Sequence, residues 1–474
     1  MLLPDPCLLA VLRCCAGDPG SVCSAARAHS KLHQAAVEAL SSIDALLNQD
    51  ELDNLVDVYL SKHGQHMESI SLEGVGYSGI LHQLAPNLTK LSSLGLISLD
   101  LRLQPGSGYP SVLGAAAAPT LKQLRLDGCR LAVSSLTGRN NGLAAALALL
   151  PELEHLALAD MTEVFIPGDV WLKMSRLTYL ELEGAHMQGP GPGDNIDLQH
   201  LSVVTQLVDL RLSGLYDHNI ISVGKLPGLQ HLTRLQLTHN GDIDFEPAAL
   251  AGKTLLQHLV LQGLKLPDDT TGETQLLSQL QDLQQLTCLM LDVFGSGVGS
   301  VPYPPAAAYS ALTASSKLQH LDVAWCCLPT AVWQHILPTS RQLPLLQVLN
   351  VSHVKDPEYV PAAAPEGTRL VSCCPGLQSL QMQGLKHIVV GLAGLQGLSG
   401  LHTLHLERAD GSTDQLSGVL QLTGLQDLQV RVATDEQVGL FLQLTQLQQL
   451  TRLQWDNARH NTLQFTVCYM WHAC

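Results

Sequence analysis

Along most of the chain, apolar residues recur in one short pattern, LxxLxL. It reads Met67-Ile70-Leu72, Leu94-Ile97-Leu99, Leu121-Leu124-Leu126, Leu153-Leu156-Leu158 and Leu177-Leu180-Leu182, and it continues to Leu450-Leu453-Trp455, fifteen units in all. The mean spacing is about 27 residues, the scale of a solenoid repeat. The last two apolar places of each unit alternate as on a strand, so both point to one face. The intervening residues must then point the other way. A buried leucine contributes roughly 1.5–3 kcal/mol, mostly offset by chain entropy. A single unit cannot stand alone and has to stack on its neighbours.

The two ends break the pattern. Leu52, Leu55, Val56, Tyr59, Leu60 and His63 fall on one helical face, and Asn48 with Glu51 fits an N-terminal capping arrangement. The spacing predicts a helix over 49–63 that caps the first unit. At the other end Phe465, Val467, Tyr469 and Trp471 alternate like a final strand. Longer steps between units carry Gly-, Pro- and Ala-rich inserts at 104–119, 188–194, 295–309 and 355–367, expected to bulge from the convex side or its edges.

The LxxLxL units resemble the leucine-rich-repeat family. The resemblance implies an α/β solenoid, a horseshoe of about 15 irregular repeats. In that family an asparagine or cysteine three places beyond the last leucine satisfies backbone groups in the turn leaving the strand. Cys129, Asn240 and Cys326 stand at that place.

Residues 3–33 follow a different pattern. Leu3-Pro4-Asp5 leads into Leu8-Leu9 and Val11-Leu12, and a second apolar stretch ends in Ala25-Ala26-Arg27-Ala28-His29-Ser30-Lys31-Leu32. This resembles an F-box, although Lys31-Leu32-His33 stand where that family usually has an aromatic, and Cys14-Cys15 replace a larger apolar residue. The resemblance implies that Leu3, Pro4, Leu8, Val11 and Leu12 face a Skp-type adaptor. The expected organisation is a helical F-box-like segment over 1–47, a capping helix over 48–66, and the solenoid with its terminal cap over 67–474. A plain helical cap over 1–47 is the alternative.

Composition narrows the function. Apolar residues make up 46% of the chain but aromatics only 4%, so the core is expected to be aliphatic and layered. The net charge of −16 argues against nucleic acid or an anionic membrane as partner. No apolar run approaches the roughly 20 residues of a membrane span, and the opening lacks the basic start of a secretory signal. The 12 cysteines include the adjacent pairs Cys14-Cys15, Cys326-Cys327 and Cys373-Cys374, and read as buried free thiols in a cytoplasmic or nuclear protein.

The place just after the third apolar residue carries Glu73, Asp100, Asp127, Glu183, Asp292, Glu407 and Asp456, against one base, Arg431. An acidic stripe of this kind would attract a basic partner; a solvated strand edge is the plainer reading. Tyr179 and Arg234, also outward, are candidate anchors, because interface energy concentrates in aromatics and arginine. His63 and His66 have no third ligand near them, and Gly189, Gly191 and Gly193 precede no helix, so neither a metal nor a phosphate site is expected. No catalytic residues and no cofactor are expected. Three functions compete: a substrate receptor of a Skp–cullin–F-box ubiquitin ligase, a stand-alone scaffold or enzyme inhibitor, and an activator of a small GTPase. The first two predict a monomer outside its complex.

Overall fold

The computed structural model describes residues 41–47, 60, 64–77, 88–100, 119–129, 142–161, 166, 168–184, 198–214, 226, 228–238, 245–266, 270–292, 303–329, 331–356, 360–386, 392, 394–408, 416–432, 447–457 and 462–466. They form two compact units that divide near Leu232.

The first unit carries β1 (Ser42–Leu47), β2 (Ser69–Tyr77), β3 (Ser93–Asp100), β4 (Gln123–Asp127), β5 (His155–Ala159), β6 (Tyr179–Glu183) and β7 (Asp209–Ser213). Each strand pairs in parallel with the next. Parallel neighbours need a crossover, and here it is short: α1 (Gly142–Leu147), α2 (Gly168–Trp171) or a 3-10 turn such as Leu198–Val203. The second unit repeats the scheme with β8 (Arg234–Thr238), β9 (His258–Gln262), β10 (Cys288–Asp292), β11 (His320–Asp322), β12 (Val348–Asn350), β13 (Ser379–Leu385), β14 (Thr403–Arg408), β15 (Asp427–Val432) and β16 (Arg452–Asn457). Its crossovers include α3 (Thr270–Asp282), α4 (Trp333–Ile336) and α5 (Gly367–Cys373). Few of these helices exceed two turns, because a repeat of this length leaves little chain once the strand and its turns are made.

The register explains the sequence pattern. Leu156, Leu180 and Leu210 pair with one another along the first ladder, as do Leu158, Leu182 and Leu212. All six are fully buried. The strand burial alternates as the spacing predicts, for example half-buried, buried, half-buried, buried along Asp209–Leu212. The core is not wholly aliphatic, however. Trp171, Phe245 and Tyr309 lie fully inside, on the crossover side of the leucine stack.

Four expectations are corrected. Ser42–Leu47 is a strand in register with β2, Ile43 against Ile70 and Ala45 against Leu72. The helical segment expected over 1–47 therefore cannot extend past residue 41, and a strand already precedes the segment expected to cap the first unit. The expected helix itself lies outside the described residues apart from Leu60, which is fully buried. In β3, Leu94 rather than Ile97 pairs with Ile70 and Leu124. The second unit is therefore Leu91-Leu94-Leu96; Leu94-Ile97-Leu99 is an overlapping frame of the same stretch. The closing strand, β17 (Thr462–Thr466), begins earlier than the alternation suggested and runs antiparallel to β16, with Phe465 against Leu453. Finally, the insert at 355–367 does not bulge freely where it is described. Ala362 and Ala364 are tied by backbone hydrogen bonds to Val354 and Lys386.

Candidate binding surface on the open face of the sheet

The crossovers cover one face of each ladder, and the intervening residues of LxxLxL occupy the other. The pairing sorts them into columns that run from strand to strand. The column after the third apolar residue joins Glu73 to Ile97, Ile97 to Asp127, Asp127 to Ala159 and Ala159 to Glu183. Asp100 is not in it; it ends β3 opposite Tyr77. The expected stripe is thus interrupted by Ile97 and Ala159. Asp127 is held by Arg125 at 2.9 Å and Glu407 by Arg431 at 3.3 Å, which neutralises part of what remains. Glu73 and Glu183 are exposed, Asp292 and Glu407 half-buried, and Asp456 keeps its register opposite Arg431. The adaptor-facing residues Leu3, Pro4, Leu8, Val11 and Leu12 lie outside the described residues.

In the first unit the open face centres on Tyr179. Its ring stacks on His155 with centroids 5.6 Å apart, and the Arg211 guanidinium lies 5.1 Å from its centre on the side of the next strand. Its hydroxyl donates to Glu181 at 2.7 Å. Burial, and then that carboxylate, push the phenol pKa upward, so the hydroxyl stays a donor. Arg211 in turn binds Asp209 through two hydrogen bonds of 3.1 and 3.0 Å. Both faces and the hydroxyl of the expected anchor are therefore engaged within the protein.

In the second unit, Arg234 is half-buried, and its charge draws the Cys288 thiol pKa down against the larger upward effect of burial. Further along, His405 faces Asp427 at 3.8 Å and Arg452 reaches the same carboxylate at 3.6 Å. Burial lowers the pKa of His405, as it does those of His320 and His353.

The feature that sequence reasoning missed lies one residue beyond the third column, where each strand turns away. That position is left-handed in repeat after repeat. Gly128, Gly184, Gly214, Gly263 and Gly384 hold it, and so do Ser98 and Asp160. The turn is enforced by the ladder, since its amide donates to the next repeat: Gly128 to Ala159, Gly184 to Ser213. Two successive repeats put aromatic residues there, Trp325 at φ 66° and His353 at φ 57°. A bulky side chain at such a φ costs on the order of 1–3 kcal/mol. The two rings stack at 4.1 Å with 20° between their planes. Gly384 makes room for this: a Cβ there would lie 2.4 Å from His353 Nδ1. His353 Nε2 approaches Glu407 at 3.9 Å. Trp325 remains 56% exposed. The signal was present in the sequence as two aromatics at a place where glycine recurs, and the backbone angle is what reveals it.

The insert also lines an open-sided cavity of about 370 Å³, with Trp333, Pro361, Arg369 and Lys386 among its walls. Trp333 Nε1 donates to Ala363 O at 2.7 Å across it, and Arg369 pairs with Glu366 at 3.5 Å. The described cysteines are free, and all but Cys288 are buried. Cys129 and Cys326 each donate through Sγ, at 3.3 Å, to the Leu96 and Leu291 carbonyls inside the preceding strand, so they tie adjacent repeats together; Asn240 lies outside the described residues. Among the described residues no cluster of three or more His, Cys, Asp or Glu could hold a metal ion, and no helix is long and apolar enough to cross a membrane.

No model of a protein family matches the chain, and no curated protein does. Solved structures do. A leucine-rich-repeat protein of Leptospira interrogans superposes with a TM-score of 0.57 at 16% identity, over 89% of this chain and 91% of that one. An internalin of Listeria monocytogenes matches with a TM-score of 0.43 at 15% identity, over 85% and 89% of the two chains. The ladder register and the first of these matches lead to one conclusion: the chain folds as a leucine-rich-repeat solenoid.

Proposed function

We propose that this chain is a non-catalytic binding protein that holds a polypeptide partner against the open face of its sheet. One observation carries the reading. In each unit the outward positions of successive strands form an ordered surface that includes apolar residues on the side away from the core, Ala157 in the first and Val260 and Met290 in the second. Strands lie about 4.8 Å apart, so a run of them spans the length of an extended peptide or a protein edge. The test is capture by the immobilised full chain. Val260→Arg should abolish retention of the captured partner, whereas Ser372→Arg, on the exposed side of α5, should leave it unchanged. Equal retention by both variants would remove the open face from the function.

The N-terminal resemblance supports a finer reading, in which the captured protein is the substrate of a Skp–cullin–F-box ubiquitin ligase and residues before Ser42 dock on the adaptor. The order of the two regions favours it: an F-box-like segment directly ahead of the repeats. Co-purification with a Skp-type adaptor, lost on Leu8→Asp, is the expected result. Absence of the adaptor from wild-type preparations would leave the scaffold reading alone.

A further inference from the structure

We infer that Trp325 is the acceptor for an arginine side chain of the bound polypeptide, which lies flat on the indole face turned away from His353. The inference rests on the polypeptide-binding reading above and names the chemistry recognised at one end of that surface.

Three observations carry it. First, Trp325 is not a core residue. It is 56% exposed although it occupies a left-handed position that other repeats give to glycine, so its conformational cost is not offset by burial. Residues held in such conformations cluster at binding sites because the surrounding structure keeps them there. Here the Trp325 amide donates to Ser352 O at 3.0 Å and the His353 amide to Gln383 O.

Second, among the described residues the platform is built on one side only. His353 covers one indole face from the following repeat. The other face is therefore directed to the preceding repeat, whose strand β10 ends in Asp292. Contrast Tyr179, which carries His155 on one side and Arg211 on the other. The Tyr179 cluster shows within this protein what the Trp325 platform lacks: a guanidinium on the second face.

Third, the charge fits a cation. From β10 to β13 the third column reads Asp292, Ala324, Ser352 and Gln383, one carboxylate and no base. Lys355 lies beyond it in the strand-exit turn, and Arg431 is paired with Glu407. A guanidinium suits the site better than an ammonium, since its plane stacks on the indole while its N–H rim stays free for carboxylates.

The experiment selects displayed random peptides on the full chain, in parallel with the Trp325→Gly and Trp325→Phe variants. Thermal unfolding of Trp325→Gly checks folding; glycine suits the left-handed turn, so the variant should unfold no earlier than wild type. Peptides selected by wild type should be enriched in arginine. A synthetic copy of the leading peptide should bind Trp325→Gly about fivefold more weakly or worse, with Trp325→Phe in between. Equal affinity for wild type and Trp325→Gly overturns the inference while leaving the binding function standing. So does enrichment of aromatic or proline residues in place of arginine, which would give the platform another occupant. If wild type selects no peptide at all, the polypeptide-binding reading fails together with it.

Discussion

Tyr179 and Trp325 are both aromatic residues near the open face of a parallel ladder, yet they are held in opposite ways. Tyr179 projects from within a strand, in ordinary extended backbone, and every group it offers is matched by His155, Glu181 or Arg211. Trp325 projects from a strained turn and has one ring neighbour among the described residues. The first arrangement stabilises the fold. The second is tolerated by the fold. Residue type alone would rank the two together as anchors; what separates them is how many of their contacts the protein itself supplies.

The largest effects should be those that the two regions share. Leu180 lies beside Tyr179 in β6, and Leu349 lies in β12 between the turns bearing Trp325 and His353; both are fully buried. Leu180→Ala and Leu349→Ala should each cost about 2–5 kcal/mol, because a cavity is left in a stack that cannot collapse across its layers. Chemical denaturation measures this. A loss confined to one variant would mean that the two leucine stacks are not equivalent supports.

The next effect separates the regions. Gly184 and Gly384 occupy the same left-handed place, at φ 56° and 65°. A Cβ at Gly184 would meet the exposed Asp160 carboxylate at 2.2 Å, a group that can swing away. A Cβ at Gly384 would meet the His353 ring, which is stacked against Trp325. Both alanine variants carry the backbone cost of about 1 kcal/mol. Gly384→Ala should lose about 1 kcal/mol more and shift the tryptophan emission. Matching losses would show that the His353 ring moves freely and that the stack is loose.

A smaller effect should change sign between the two aromatics. Tyr179→Ala removes a satisfied hydrogen bond and two ring contacts and should destabilise by about 1–2 kcal/mol. Trp325→Gly relieves the turn and should stabilise by about 1 kcal/mol. Thermal unfolding of both variants tests this, and a destabilised Trp325→Gly would show that the indole supports the repeat after all.

The sequence made the repeat legible because burial of leucine is periodic and every repeat needs it. It hid what depended on register. Leu91, Leu94, Ile97 and Leu99 satisfy the pattern in two overlapping frames, and only the pairing of Leu94 with Ile70 and Leu124 decides between them. That choice moves Asp100 out of the acidic column and puts Ile97 in its place. Strand β1 was hidden because Ala45 stands where a leucine is expected, and the ladder compensates by pairing it with Leu72. Of the candidate site, Tyr179 and Arg234 were visible as outward residues, but the ring partners of Tyr179, His155 and Arg211, were not, since they come from neighbouring strands well separated in sequence. Trp325 and His353 were invisible to a search for chemistry, because their distinction is a backbone angle.

The smallest effect concerns pH, and it belongs to the second unit. His320, His353 and His405 all have pKa values lowered from 6.5, in each case chiefly by burial, with Asp322, Glu407 and Asp427 respectively pulling the other way. A folded-state pKa below the unfolded one means that the unfolded chain takes up protons first as the pH falls. Their contribution to stability is thus complete above 6.5 and is lost as the pH drops from 6.5 through the folded-state values. Lys253, fully buried, behaves differently: burial lowers its pKa from 10.5 to about 8, so its effect is confined to more alkaline pH. Urea midpoints followed by tryptophan emission should therefore stay level from about pH 8 to 7 apart from the tail of the Lys253 change, then fall toward pH 5.5. His353→Gln should flatten part of that fall. Because its ring is the support of Trp325, the same variant should also redden the emission at neutral pH, whereas His405→Gln should flatten the fall and leave the emission alone. An unchanged pH profile in both variants would place the acid sensitivity elsewhere and remove the titration of His353 from any role in holding the platform.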